Sequence, residues 1–499
     1  MDSAPGPAPL PGDDKKEARV DAATKLTQWA LAELDGQLWH TPEGDTFASV
    51  WQHKRTENIA IRTRAFRQWL VTFYYRKSGS RTPNAQAVEA ALSLLDAKAA
   101  REGAQCDAPV RRGHSAGEIY LDLADEQWRA ARITPAGWEV IPPEELPQHG
   151  FRRADHMEAL PVPVRGGSLE NLRRFTNVTD DGAWQLVKGF LAMCLYPFEG
   201  AYPILLVNGP QGSAKTTTAR VLRKLVDPNG GELRAVPRDE RALLIAAKNG
   251  LVVGFDNVSA LPDWLSDACC RLATGAASSE RTLYTDDEEH LFKGRRPMLI
   301  TGIEDVATRP DFLERSLTIT LEAIPEGSRL EEGKLWREFE AERPAILGAL
   351  LDAVSAGLRR RGEPFDGPLP RMADFARWAS ACLDGGDPDG PFMRAYRDNI
   401  LSASALALEA SPVATAVQKL TQNRATWTGT ATELLALLND KYGPPHDQQK
   451  TAAWPKAPNK LSGALRRVMP GLSTVGVEVT IAAVGRSKTR QITIRRSRD

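Results

Sequence analysis

The run from Pro203 to Thr216, Pro-Ile-Leu-Leu-Val-Asn-Gly-Pro-Gln-Gly-Ser-Ala-Lys-Thr, is an apolar strand entering a glycine-rich loop, and it constrains this chain more than any other feature. A loop that cradles phosphate needs small residues where backbone N–H groups turn inward, a Lys that reaches the outer phosphates, and a Ser or Thr hydroxyl for magnesium. Gly209, Gly212, Lys215 and Thr216 supply those parts, and Pro210, Gln211, Ser213, Ala214 and Thr217 complete the binding loop. The usual pattern has Gly directly before the Lys. Ala214 stands there, so the backbone at that position must suit a Cβ. Ile204 to Val207 reads as a short strand, and Thr217 to Leu225 as a helix whose N-terminus faces the phosphates. The spacing predicts a site for ATP and Mg2+.

At 499 residues the chain exceeds what one core serves, so two to four domains are expected. Lys plus Arg equals Asp plus Glu at 64 each, so a nucleic-acid partner would have to be met by a local patch. Cys106, Cys194, Cys269, Cys270 and Cys382 fit neither a disulfide framework nor a zinc spacing and read as reduced core thiols. The Pro- and Ala-rich start, residues 1–20, reads as a disordered tail and not as a signal peptide. No run of eighteen apolar residues suggests a membrane span, so a cytoplasmic protein is expected.

Residues 21–160 read as a mixed α+β domain: mostly helical from Lys25 to about Arg101, then a three-stranded meander over Gly117 to Ile141. Residues 168–325 alternate strands and helices, the pattern of a parallel α/β sheet covered on both faces. Its strands are expected at Ile204 to Val207, Leu233 to Val236, Leu251 to Phe255, Met298 to Thr301 and Leu317 to Leu321. Residues 326–410 read as helical. Residues 425–499 give helix, helix and hairpin, a winged-helix order, with the second helix over Pro458 to Arg467.

A hydrolytic site needs a carboxylate for the magnesium shell at the tip of a buried strand beside the loop strand. Asp256 is placed to supply it. Asn257 follows where a water-activating Glu is usual; its carbonyl can align water but cannot take a proton, so turnover is expected to be slow. Glu240 and Glu304 are the alternatives from neighbouring loops. Thr301 reads as a sensor near the outermost phosphate. Arg315, with Arg309 in reserve, precedes the last strand, where a cation can enter a neighbouring subunit's site. In the tail, Lys456, Lys460, Arg466, Arg467, Arg486, Lys488, Arg490, Arg495, Arg496 and Arg498 face only Glu478 and Asp499, the electrostatic footprint of phosphate binding. Lys460, Arg466 and Arg467 belong to the second helix, and Arg486 and Lys488 to the hairpin tip. His114, His149 and His156 lack metal spacing, and the role of the N-terminal domain stays open.

Together, Gly209 to Thr217, Phe255-Asp256-Asn257, Arg281 to Glu289, Arg296 to Ile303 and Asp311 to Ser316 resemble the superfamily 3 helicase branch of the AAA+ (ASCE) P-loop NTPases. They resemble most the phage and integrative-element ATP-binding proteins found beside primase modules. The resemblance implies a hexameric ring that hydrolyses ATP and translocates on DNA during replication, with a primase as a further partner. It also implies a hairpin whose basic residues enter the pore, here Lys293 and Arg295. A second reading is a DNA-binding switch ATPase without motor activity, regulatory or defensive. A P-loop kinase is a third, disfavoured by the order of strand-end Asp, sensor and trailing Arg.

Overall fold

The computed structural model describes residues 22–52, 55–147, 150–275, 278–281, 289–292, 294–303, 309–327, 329–451, 454–484 and 489–496. The chain forms two compact units, one ending at Ala108 and the other running from Pro109 to Asp499.

The first unit is less helical than its sequence suggests. Helices Ala22–Glu33, Arg64–Lys77 and Ala85–Glu102 accompany a four-stranded sheet, in which Thr46–Gln52 lies between Arg55–Ala60 and Leu38–His40, with Ala104–Gln105 outside Leu38–His40. The strand Thr46–Gln52 escapes a sequence reading because its first five residues are all buried, which erases the alternation that marks a half-exposed strand. The helices are easier to read: Thr63 and Asn84 cap the second and third through their side chains.

In the second unit the meander has four strands, Arg112–Ser115, Glu118–Asp122, Ala130–Thr134 and Gly137–Ile141, one more than expected. Although expected within residues 21–160, it is built into this unit: the Trp138 indole donates to Asp352, and the Ser355 hydroxyl to the Thr134 carbonyl. Long helix Glu332–Arg360 carries both Asp352 and Ser355.

The central sheet is parallel, in the order Val253–Val258, Met298–Gly302, Ile204–Asn208 and Ser316–Thr320. Leu233 to Val236 is not a fifth strand. Arg234 makes a single bridge to Phe255, held by two backbone hydrogen bonds, and the pairing extends no further. Alternate strand residues serve two cores. Leu205, Val207 and Leu299 pack with Ala219 and Leu222 of helix Lys215–Val226, whereas Ile204, Leu206 and Ile300 pack with Leu265 and Cys269 of helix Asp263–Thr274.

Helices Ala373–Leu383 and Pro391–Glu409 follow, and then a small sheet-and-helix body. Its order is helix Pro412–Asn423, strand Thr426–Thr430, helix Ala431–Leu437, helix Pro458–Thr474 and strands Val477–Val484 and Thr489–Arg496, the last strand pairing with both others. Thr430 and Glu433 form a reciprocal cap on the second of these helices. The helix expected to stop at Arg467 runs to Thr474 through Pro470, because Leu465, Val468 and Leu472 keep it seated on its core. Among the described residues no single helix is long and apolar enough to cross a membrane.

Candidate functional site

The loop from Gly209 to Thr217 leaves the C-terminal edge of the sheet and enters helix Lys215–Val226, whose first turn has no side-chain cap. Its leading N–H groups are therefore free to meet an anion. Gly209 is required in the loop. Its φ is +150°, and a Cβ there would meet the Leu321 carbonyl oxygen at 2.5 Å. Gly212 adopts φ +81°, and a Cβ on it would lie 3.3 Å from the Arg329 guanidinium.

Ala214 adopts φ 58° and ψ 31°, the left-handed region that a Cβ disfavours. The departure from Gly is thus accommodated as strain. Ala214→Gly is expected to raise stability by about 1 kcal/mol, read as a shift in the denaturation midpoint; an unchanged or lower midpoint would show the strain to be absent.

The side chains converge on Asp256. The Thr216 hydroxyl donates to Asp256, with oxygen separations of 2.9 and 3.2 Å, and the Thr301 hydroxyl donates to it at 2.5 Å. Thr301 also accepts the Asn257 N–H at 2.9 Å. The strand bearing Asp256 carries one extra residue between Phe255 and Val258, which pair with Ile300 and Gly302. Asn257 sits in that bulge at φ 54°. Asn tolerates this conformation, and its exposed side chain makes the position a poor stand-in for a buried base.

Lys215 is half-buried and folds over its own loop, donating to the carbonyls of Gly209 at 2.6 Å and Pro210 at 2.7 Å. Burial pulls its ammonium below the ordinary value, and the Asp256 carboxylate opposes that shift. Ser213 is fully buried and braces the loop through the Pro210 carbonyl. Pro210, Gln211, Gly212 and Thr216 are exposed, with Thr217 partly so.

Two contributors give no sequence signal. The Asn177 amide donates to the carbonyls of Ser213 and Glu322, and its backbone N–H to the Thr218 hydroxyl, pinning the loop from outside its motif. Arg329 brings a second cation beside Gly212. Both depend on distant segments meeting in three dimensions.

The donor set suits magnesium. No group of three or more His, Cys, Asp or Glu among the described residues could hold a metal by itself. One hydroxyl and one carboxylate form the sparse oxygen set with which Mg2+ is bound jointly to substrate phosphates.

The remaining expected residues divide. Glu240 is engaged by Arg271 at 2.8 Å, and Glu304 lies outside the described residues. Arg309 is surrounded by Asp263, Asp267 and Asp311. Arg315 donates one guanidinium nitrogen to the Asp311 carbonyl, while its Nε has no partner among the described residues. Arg295 donates to the Gly200 carbonyl and packs on Gly275, so it braces the base of its segment, and Arg296 binds the carbonyls of Ala247 and Gly250. Lys293, Arg486 and Lys488 lie outside the described residues. Lys460, Arg466 and Arg467 are carried by helix Pro458–Thr474, and the last of them also borders a groove beside Glu314 and Ile400.

Over residues 169–401 the chain is similar to the family described as actinomycete integrative conjugative element replication protein. Residues 413–499 match the C-terminal domain of that replication protein. No curated protein matches the chain. Among solved structures, the NrS-1 C-terminal region is 14% identical over 94% of this chain and 98% of its own, with a TM-score of 0.39. The SCCmec type IV Cch active helicase is 10% identical over 92% of each chain, with a TM-score of 0.44. JCV helicase is 17% identical over 40% of this chain and 59% of its own, with a TM-score of 0.18.

Proposed function

We propose that this chain is an ATP-hydrolysing, helicase-like replication protein of a mobile element, working on DNA as an oligomeric ring of the superfamily 3 type. The observation that carries the proposal is the 2.9 Å contact between Thr216 and Asp256, which brings the two expected magnesium donors together beside Lys215. When bound, Mg2+ neutralises phosphate charge and bridges the outer phosphates. The helix N-terminus and the Lys215 ammonium would hold the same phosphates, and Thr301 fixes the Asp256 carboxylate. The match of residues 169–401 to a replication-protein family supports the biological setting.

Arg315 is read as acting across a subunit boundary. Its carbonyl accepts the Ile204 N–H, so it sits at the N-terminal edge of the sheet, whereas the glycine loop leaves the C-terminal edge. One strand, Ser316–Thr320, lies between the two edges. At the rise of an extended chain it separates them by roughly 15 Å, too far for Arg315 to serve its own site. Lys215→Ala and Arg315→Ala are each expected to abolish ATP turnover, and mixing the two proteins should restore part of it, because mixed interfaces recover one intact site. A mixture as inactive as its components would contradict the shared site.

Residues 412–496 are read as a winged helix, with Lys460, Arg466 and Arg467 meeting DNA phosphates from its third helix. Arg486 and Lys488 at the wing tip, and Lys293 on the pore hairpin, extend the same role. A DNA-binding switch ATPase is the second reading, favoured by the exposed Asn257 where a proton acceptor is usual. Strand displacement on a forked substrate separates the two.

A further inference from the structure

Transfer of a phosphoryl group to water needs a group that fixes the attacking water opposite the leaving group. Asp256 and Thr301 do not stand on that side. Thr301 alternates with Ile300 and pairs with Val207, which places it on the sheet face covered by helix Lys215–Val226, and it reaches Asp256 there. An ATP held by Lys215 and Thr216 has its leaving group over this face, so water approaches over the other one, where Leu206 and Ile300 point.

At the strand tips of that second face, the other polar groups are committed or turned away. The Thr301 hydroxyl is saturated, donating to Asp256 and accepting from Asn257. Asn257 sits in its bulge with an exposed side chain, and Glu240 binds Arg271. Asn208 differs. It ends the loop strand directly before Gly209, lies between Gly302 and Thr320, and shares the face of Leu206. Its Oδ1 is buried and accepts no hydrogen bond from any described group. A buried acceptor left unmet weakens the fold, and its retention calls for a reason.

We propose that Asn208 is a catalytic residue of ATP hydrolysis, its Oδ1 accepting a hydrogen bond from the attacking water and aiming the water oxygen at the γ-phosphorus. The inference rests on the reading that the glycine loop binds ATP. The water oxygen bonds to the γ-phosphorus, the bond from that phosphorus to the β–γ bridging oxygen breaks, and ADP leaves with the electron pair. An amide takes no proton, so one water proton passes to a γ-phosphate oxygen and the other stays on the new phosphate hydroxyl. Asn208 supplies orientation in place of a general base.

The test compares the full-length protein with Asn208→Leu and Asn208→Asp, measuring kcat at saturating MgATP across pH and the Kd for MgATP by titration. Asn208→Leu, which keeps the shape and removes the acceptor, is expected to lower kcat about 100-fold with Kd unchanged. Asn208→Asp restores an acceptor that can also take a proton, so its kcat is expected to recover and to fall as pH drops through the carboxylate range, unlike wild type. Wild-type kcat in Asn208→Leu, or equal losses of kcat and affinity in both variants, would overturn the inference and leave the ATP reading standing. Should Asn208→Leu not fold, Asn208→Asp decides alone: a pH profile identical to that of wild type overturns it. Wild type that binds no ATP overturns the underlying reading and this inference with it.

Discussion

Asp227→Ala is expected to destabilise the second unit by about 3–5 kcal/mol. Asp227 is fully buried where helix Lys215–Val226 ends. One carboxylate oxygen accepts the N–H groups of Leu251 and Val252, each at 2.9 Å, and the other accepts Arg111 Nε at 3.4 Å. Arg223, also buried, completes the cluster with a guanidinium nitrogen 3.9 Å away. Burial pulls the guanidinium groups of Arg111 and Arg223 below their ordinary values, and the Asp227 charge offsets that effect. Alanine would strand two buried cations and two backbone donors. The consequence reaches the site, because Leu251 and Val252 begin the segment that ends in Asp256, and Asp227 ties it to the helix that begins with Lys215. Urea denaturation followed by circular dichroism checks the value; a midpoint within the range of ordinary surface substitutions would show that Arg111 and Arg223 are satisfied by other groups.

Lys215→Ala is expected to leave stability within about 0.5 kcal/mol of wild type and to lower ATP turnover by on the order of 10²–10³-fold. Its side chain makes hydrogen bonds only within its own loop, to Gly209, Pro210 and Ser213. Removing it therefore deletes charge from the phosphate position without opening the core. Phosphate release together with a thermal melt gives both numbers, and turnover retained at the wild-type rate would contradict the role assigned to this ammonium. The contrast with Asp227 is diagnostic: one change removes the fold and the site together, the other the chemistry alone.

Much of this was legible in the sequence because it is local. Ile204 to Val207, Met298 to Thr301 and Leu317 to Leu321 are continuous apolar runs, as parallel strands buried on both faces require, and glycine spacing marks the loop. Asp256 and Thr301 could be picked out because each follows such a run. What escaped depends on tertiary meeting. Asn177 belongs to an unremarkable polar loop until the fold lays it against Ser213 and Glu322. Arg295 reads as a free basic residue until its guanidinium is seen on the Gly200 carbonyl. The left-handed geometry of Ala214 and Asn257 has no sequence signature beyond a missing Gly and a missing Glu. In the first unit, double-sided burial hid the strand Thr46–Gln52 from a reading based on alternation.

The central claim is that the loop Gly209–Thr217, completed by Asp256, grips the phosphates of ATP through magnesium. Isothermal titration of ATP into the full-length protein, with and without Mg2+, tests it most directly. Saturable binding that requires Mg2+ and disappears in Lys215→Ala is the predicted result, and the absence of any binding heat in folded wild-type protein would contradict it.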